Sequence, residues 1–153
     1  MRTEKRWKTE NREIIVRDFD APARRDLEDE IEWLLSSLGF EGEEEGNEVP
    51  RGIFRCLLEA SYKGMGVSSI ELCKESKVTR GAVVYHLNRF IKRGVVVRRG
   101  REYYLRRLTL RDTLEEIEED ILRMMRRMIK VADEIDRMKM GGGRYGDKEE
   151  ESV

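Results

Sequence analysis

Apolar residues recur every three or four positions along most of the chain, a spacing that predicts amphipathic helices. One such stripe covers 26–38, where Asp26 is placed to cap a helix and Gly39 to end it. Another follows Pro50, a residue suited to the first turn of a helix, and ends at Gly64. The sequence therefore predicts at least two helices in its first 64 residues.

Two stretches of the N-terminal region depart from this helical spacing. Residues 12–19 (REIIVRDF) predict a short strand, which Asp20-Ala21-Pro22 would end. Residues 41–48 (EGEEEGNE) have no apolar face, and both like-charge repulsion and glycine disfavour order there. We expect a solvated acidic loop, with mimicry of DNA or docking of a partner as the alternative.

The stretch 68–105 predicts a short helix, a tight turn, a second helix and a β-hairpin. Its first helix starts with a capping box, in which Ser68 and Glu71 satisfy each other's backbone amides. The turn lies at Val78-Thr79, and the threonine caps the second helix, 79–93. Gly94 ends that helix, where a left-handed residue is favoured. An apolar pattern of strand type follows, with its bend at Arg99-Gly100.

The second helix has two chemically different faces. Its inner face is apolar and consists of Val83, Leu87, Phe90 and Ile91. Its outer face carries a glycine, an aromatic ring, an amide and cations, at Gly81, Tyr85, Asn88, Arg89 and Lys92. One face is therefore expected in the core, and the other on the surface.

The motif E-L-x(10)-V-x-x-H-L-x(6)-G-V-V runs through this stretch. It consists of Glu71-Leu72, Val83, His86-Leu87 and Gly94-Val95-Val96. The motif resembles the winged helix-turn-helix of ArsR-like and MarR-like prokaryotic, archaeal-type transcription regulators. With the helix before it, the resemblance covers about 55 residues. It implies a mainly α fold with a small β-hairpin and a DNA-binding role.

The formal net charge of -1 conceals a segregation of charge along the chain. Residues 1–50 carry a net charge of -7, residues 51–107 carry +10 and residues 108–153 carry -4. A local basic field attracts a polyanion even when the whole chain is nearly neutral. Because the basic block coincides with the winged-helix resemblance, double-stranded DNA is the expected partner.

Candidate DNA contacts lie on the outer helix face and at the hairpin tip. The predicted DNA-binding residues are Arg80, Gly81, Tyr85, Asn88, Arg89, Lys92, Arg98, Arg99 and Arg101. A helix in the major groove reads base edges with such side chains, and arginines at a hairpin tip reach phosphates or the minor groove. Gly81 would permit a close approach of the backbone. The alternative for the hairpin arginines is a solvated run of charge.

A long helix is predicted over 110–140 by an apolar repeat with spacings of four and three residues, typical of a coiled coil. The predicted dimerisation residues are Leu114, Ile117, Ile121, Met124, Met128, Val131 and Ile135. We expect a homodimer, since so long a stripe exceeds what a small domain can cover. In a parallel pair Asp120 would face Met125 and Arg127 would face Ala132, so the helix direction stays open. Thr109 or Thr113 is placed to cap this helix.

The predicted organisation has four parts. They are an N-terminal extension (1–48), a winged helix-turn-helix domain (49–108), a dimerisation helix (109–140) and a disordered tail (141–153). The chain has no apolar run of membrane-spanning length and no signal-peptide pattern, so a cytoplasmic protein is expected.

No catalytic or metal-binding motif is present, so we expect neither an enzyme nor a cofactor. Some ArsR-like metal sensors continue the E-L-C pattern to a second cysteine, but here Lys74 and Glu75 follow Cys73. We therefore expect Cys56, Cys73 and His86 to be packing residues.

Two other functions remain open on this sequence. The winged helix could be a protein-interaction module of a larger complex, with a solvated basic face. Alternatively, the regulator could bind an effector between the 26–38 helix and the long helix, although the sequence gives no polar constellation that identifies one.

Overall fold

The computed structural model describes residues 12–22, 26–40 and 48–141. Within these ranges the chain is mainly helical with a small antiparallel sheet, which confirms the predicted fold class at that level. The elements in chain order are α1 (Leu27–Ser37), α2 (Glu48–Tyr62), β1 (Val67–Ser68), α3 (Ser69–Ser76), α4 (Arg80–Lys92), β2 (Val96–Arg99), β3 (Glu102–Leu105) and α5 (Leu110–Met140). In this part of the chain, no helix has the length and apolarity that a membrane span requires.

Some sequence expectations concern residues outside the described ranges. They include the acidic loop 41–48, of which only Glu48 is described, and the tail 141–153, of which only Gly141 is described. The predicted helix over 26–38 is described, and it runs over Leu27–Ser37. Asp26 caps it as expected, because its side chain accepts a 2.8 Å hydrogen bond from the Asp29 amide.

The chain divides into two compact units, Met1–Ile117 and Glu118–Val153. The boundary lies inside α5, whereas the sequence predicts it before the long helix. The reason is that the first turns of α5 belong to the first unit. Thr113 and Ile117 are buried there, and Glu116 pairs with Arg106 and Arg107.

The core of the first unit lies among α2, α3, α4 and the sheet. Its most deeply buried side chains are Ile53, Phe54, Leu57, Leu72, Val83, Leu87, Phe90, Val95 and Val96. Phe90 is central, since its ring centroid lies 4.5 Å from that of Phe40 and 6.0 Å from that of Phe54. Truncating a buried phenylalanine to alanine typically costs about 3–5 kcal/mol. These rings therefore hold α2, α4 and the residues after α1 together.

The sheet has three strands in the order β1-β3-β2, and all pairings are antiparallel. The hairpin β2–β3 agrees with the prediction, and its turn contains Gly100 in the left-handed region (φ 65°). The strand β1 was not predicted from the sequence. It has only two residues, and it depends on pairing of Val67 with Tyr103, far along the chain.

The predicted strand at 12–19 is wrong. This segment has no regular secondary structure and forms no ladder with another strand. Instead, the Glu13 amide donates to the Lys92 carbonyl (2.8 Å), and the Arg17 amide donates to the Ser37 carbonyl (2.7 Å). The carbonyls at the ends of α4 and α1 lack helical partners, and the amides of this segment satisfy them.

Close packing supports the same segment. Gly39 has a positive φ of 87°, and a Cβ atom there would lie 2.9 Å from Ile15. The indole of Trp33 donates a 2.6 Å hydrogen bond to the Asp20 carbonyl. Trp33 therefore joins the end of this segment to α1.

Of the two threonines proposed as the cap of α5, Thr109 occupies that position and accepts a 3.1 Å bond from the Asp112 amide. Thr113 is fully buried and has another role. Its hydroxyl accepts from the Arg107 amide (2.9 Å) and donates to the Thr109 carbonyl (2.9 Å). It thereby fixes the connection between β3 and α5.

We expect Thr113→Val to lower the free energy of unfolding by about 1–3 kcal/mol, because the Arg107 amide would lose its acceptor inside the protein. Thr113→Ser keeps the hydroxyl and is the matched control. Chemical denaturation followed by circular dichroism measures both. Equal losses in the two variants would show that the hydroxyl does not stabilise the connection.

Candidate nucleic-acid interface

The helices α3 and α4 are joined by a tight turn that local hydrogen bonds define. Glu71 accepts from the Ser68 amide (2.8 Å), and Ser68 accepts from the Glu71 amide (3.1 Å), which completes the predicted capping box. Lys77 ends α3 in the left-handed region (φ 58°). Thr79 caps α4 by accepting a 3.1 Å bond from the Ala82 amide. The left-handed residue thus lies just before the predicted turn.

Most residues of α4 lie on the face that the sequence predicts for them, although Ile91 of the inner face and Arg89 of the outer face are both half-buried. Val83, Leu87 and Phe90 are fully buried on the inner face. On the opposite side, the exposed residues are Arg80, Gly81, Tyr85, Asn88 and Lys92. Tyr85 is the largest of them, with 61% of its surface exposed. The outer face of α4 is therefore open for contact with a partner.

Gly81 has no packing role within the described structure. A Cβ atom built at this position would meet nothing within 4 Å. Glycine inside a helix costs about 1 kcal/mol relative to alanine. Since no neighbouring side chain requires glycine here, a close approach from outside the chain would explain it.

Arg89 departs from its predicted place on the open face. Its guanidinium lies 5.0 Å from the centroid of the Phe40 ring and 5.8 Å from that of Tyr85. It also donates to the Gly39 carbonyl at 3.4 Å. Arg89 is half-buried and packs the residues after α1 against α4.

Arg93 adds a second cation at this end of α4, and sequence reasoning did not select it. Its guanidinium lies 5.6 Å from the Phe40 ring and donates to the Glu13 carbonyl at 3.4 Å. Burial, and then the like charge of Arg89, lower the pKa of Arg93. The contact with Glu13 could not be predicted from helical spacing, because Glu13 lies outside the helices, in the segment 12–19.

The hairpin presents three exposed arginines, Arg98, Arg99 and Arg101. Two of them are oriented by aromatic rings. Arg98 lies 5.5 Å from the Tyr103 centroid and donates to the Gly100 carbonyl (2.9 Å), and Arg99 lies 5.1 Å from the Tyr104 centroid. These cation–π contacts hold both guanidinium groups at the surface of the hairpin.

Acidic groups modify the charge around the hairpin. Glu102 accepts a 3.0 Å hydrogen bond from the Tyr104 hydroxyl, and this bond is the main reason that the pKa of Tyr104 is raised. Glu116 pairs with Arg106 at 2.8 Å and with Arg107 at 3.2 Å. The last two arginines therefore anchor the start of α5, and the hairpin arginines carry the open positive charge.

His86 is half-buried, and its ring meets the Tyr85 ring edge-on, with centroids 5.1 Å apart. Within the described residues, its Nδ1 atom is buried and has no hydrogen-bond partner. Burial, followed by the charge of Arg89, lowers the pKa of His86 below 6.5. Cys56 and Cys73 are partly buried thiols, and burial is the main cause that raises the pKa of Cys56.

Comparisons of the chain with models of protein families, with curated proteins and with solved structures found no match.

His86 is the chain's one histidine, so its titration can be followed directly by NMR. We expect the midpoint in the folded protein to lie below 6.5 and the midpoint in denaturant to lie near 6.5. Because the unfolded state binds this proton more readily, the stability due to neutral His86 is complete above the unfolded pKa. It is lost as the pH falls through the folded pKa. A folded midpoint at or above the denatured one would contradict the burial of this ring.

Proposed function

We propose that residues 49–108 form a winged helix-turn-helix that binds double-stranded DNA in a sequence-specific or semi-specific manner. The protein would act as a homodimeric transcription regulator in the cytoplasm. The observation that carries this proposal is the open outer face of α4, which has Arg80 and Gly81 in its first turn and Tyr85 in the next. A recognition helix contacts base edges through residues near its N-terminus.

The arrangement around α4 supports the same function. The α3–turn–α4 unit is followed by a hairpin whose exposed arginines are oriented by aromatic rings. In this proposal α4 enters the major groove, while Arg98, Arg99 and Arg101 contact the backbone or the minor groove. Arg89, which packs on Phe40, would support the helix from the side rather than read bases.

The exposed part of α5 supports the proposed dimer. Met128, Val131, Ile135 and Met138 continue the apolar repeat, and 57%, 53%, 52% and 79% of their surfaces are exposed. Ile117, in contrast, is buried in the first unit, where it is 3% exposed. The sequence predicts it as a dimerisation residue, but it does not belong to the open seam. A dimer gives two copies of α4, as two half-sites of an operator require.

We expect Arg80→Ala and Tyr85→Ala each to weaken binding to duplex DNA about tenfold or more. Neither should lower the melting temperature, because both side chains are exposed. Fluorescence anisotropy with a pool of labelled duplexes measures the affinity at several salt concentrations. The matched control is Arg111→Ala, which removes an arginine whose side chain is 84% exposed on α5.

Gly81→Ala separates folding from binding in the same assay. It should stabilise α4 by about 1 kcal/mol while weakening the affinity for DNA. Unchanged affinity in all three α4 variants would contradict the proposed reading face. If the wild type binds no duplex even at low salt, the alternative of a protein-interaction module is favoured.

We expect Val131→Glu to convert the dimer to a monomer, because a carboxylate would be buried in the apolar seam. Arg126→Glu places the same charge outside the seam and should leave the dimer intact. Analytical ultracentrifugation measures the mass of both variants and of the wild type. A wild-type monomer at micromolar concentration would overturn the proposed dimer.

A further inference from the structure

The residues that border the apolar seam of α5 distinguish between the two directions in which a pair of these helices can run. In heptad notation the seam consists of Ile121, Met128 and Ile135 at position a, with Met124, Val131 and Met138 at position d. Ile121 and Met124 are half-buried, and the other four side chains are exposed. Positions e and g flank such a seam and select the partner and its direction. The flanking residues here are Glu118, Asp120, Met125, Arg127, Ala132, Glu134 and Lys139. All of them are exposed except Asp120, which is buried and pairs with Arg123 of its own helix at 2.8 Å.

In a parallel pair, few of these flanking residues would face a favourable partner. Each g residue then faces the next e residue of the other helix. Glu134 would meet Lys139, which is favourable, but Arg127 would meet Ala132, and the residue opposite Met125 would be the buried Asp120. The exposed charge of Arg127 would then border an apolar side chain, and this mismatch would occur twice in a symmetric dimer.

An antiparallel pair has a register in which apolar seam residues face each other and the flanking residues face partners of opposite charge or of apolar character. Each a residue faces a d residue in the layers Ile121–Met138, Met124–Ile135 and Met128–Val131. In antiparallel pairs g faces g and e faces e. These contacts are Arg127–Glu134, Glu118–Lys139 and Met125–Ala132. Two of them join opposite charges, and the third joins two apolar side chains.

Neighbouring antiparallel registers are excluded by charge or by burial. A shift of one heptad in one direction places Arg127 against its own copy. A shift in the other direction places Glu134 against its own copy. A two-heptad shift in the first direction requires Ile117 to face the partner, but Ile117 is buried in the first unit.

We propose that α5 pairs with α5 of a second copy in antiparallel orientation, with Met128 facing Val131 on either side of the two-fold axis. This proposal rests on the homodimer of the proposed function and adds its direction and register. It also gives Met125 a role, since this side chain is 44% exposed and lies outside the a/d repeat.

Disulfide cross-linking tests the direction. Met124→Cys and Ile135→Cys are introduced singly and together into the chain that carries Cys56→Ser and Cys73→Ser. In the proposed register, residue 124 faces residue 135, while each of these positions lies about 16 Å along the axis from its own copy. A disulfide requires Cα atoms within about 7 Å. We therefore expect the double variant, but neither single variant, to give covalent dimers on non-reducing gels.

Cross-linking of both single variants would overturn the proposal in favour of a parallel pair. Absence of cross-linking in all three variants would overturn the register. The parent chain without introduced cysteines is the control for both folding and background oxidation.

Charge reversal tests the register independently. Arg127→Glu would place a second carboxylate against Glu134 at two symmetric contacts, and we expect the dissociation constant of the dimer to rise about tenfold. Adding Glu134→Arg should restore dimerisation, because the pair is then reversed. In a parallel dimer the introduced arginine would face Lys139 instead, so failure of this rescue would overturn the proposed register.

Neither experiment requires DNA. A cross-linked double variant that binds no duplex would therefore support the antiparallel pair while overturning the proposed function. A wild-type chain that sediments as a monomer would overturn both the dimer and its register.

Discussion

The aromatic contact between Phe90 and its neighbours is the constraint on which the rest of the first unit depends. Phe90 meets Phe40 at 4.5 Å and Phe54 at 6.0 Å, so one residue of α4 joins three separate parts of the chain. This contact fixes the rotation of α4 about its axis. Because the helix has about 3.6 residues per turn, burying Phe90 points Tyr85 outward. The open face of α4 is thus a consequence of core packing.

The same packing determines which cations remain available to a partner. Residues 51–107 carry a net charge of +10. In the structure, some of their arginines contact aromatic or acidic groups, whereas others are exposed. Arg89 and Arg93 lie over Phe40. Arg106 and Arg107 pair with Glu116. The open positive charge is left on the outer face of α4 and on the hairpin. A net charge alone could not have located it, because the neutralising and packing groups come from other parts of the chain.

The features that could be predicted from the sequence depend on residues close together in the chain. The capping box of Ser68 and Glu71 spans three residues, and the inner face of α4 follows from helical spacing. The failures involve distant partners. Residues 12–19 resemble a strand locally, but their amides bond to the ends of α1 and α4. Strand β1 requires pairing with Tyr103, and Arg89 packs on the Phe40 ring instead of lying on the open face of α4. None of these contacts leaves a periodic pattern in the sequence.

The apolar repeat of α5 has a buried part and an exposed part. Its first turns are buried in the first unit at Thr113 and Ile117, whereas the same repeat continues at Met128, Val131 and Ile135 on exposed surface. Apolar side chains of this kind gain similar stability from burial in a parallel or an antiparallel pair, so the seam alone does not select a direction. Selection requires a difference in free energy between the two pairings, and charged flanking residues supply it when they match in only one of them. In the proposed dimer, the direction of pairing would therefore be determined at the edge of the seam rather than in its centre.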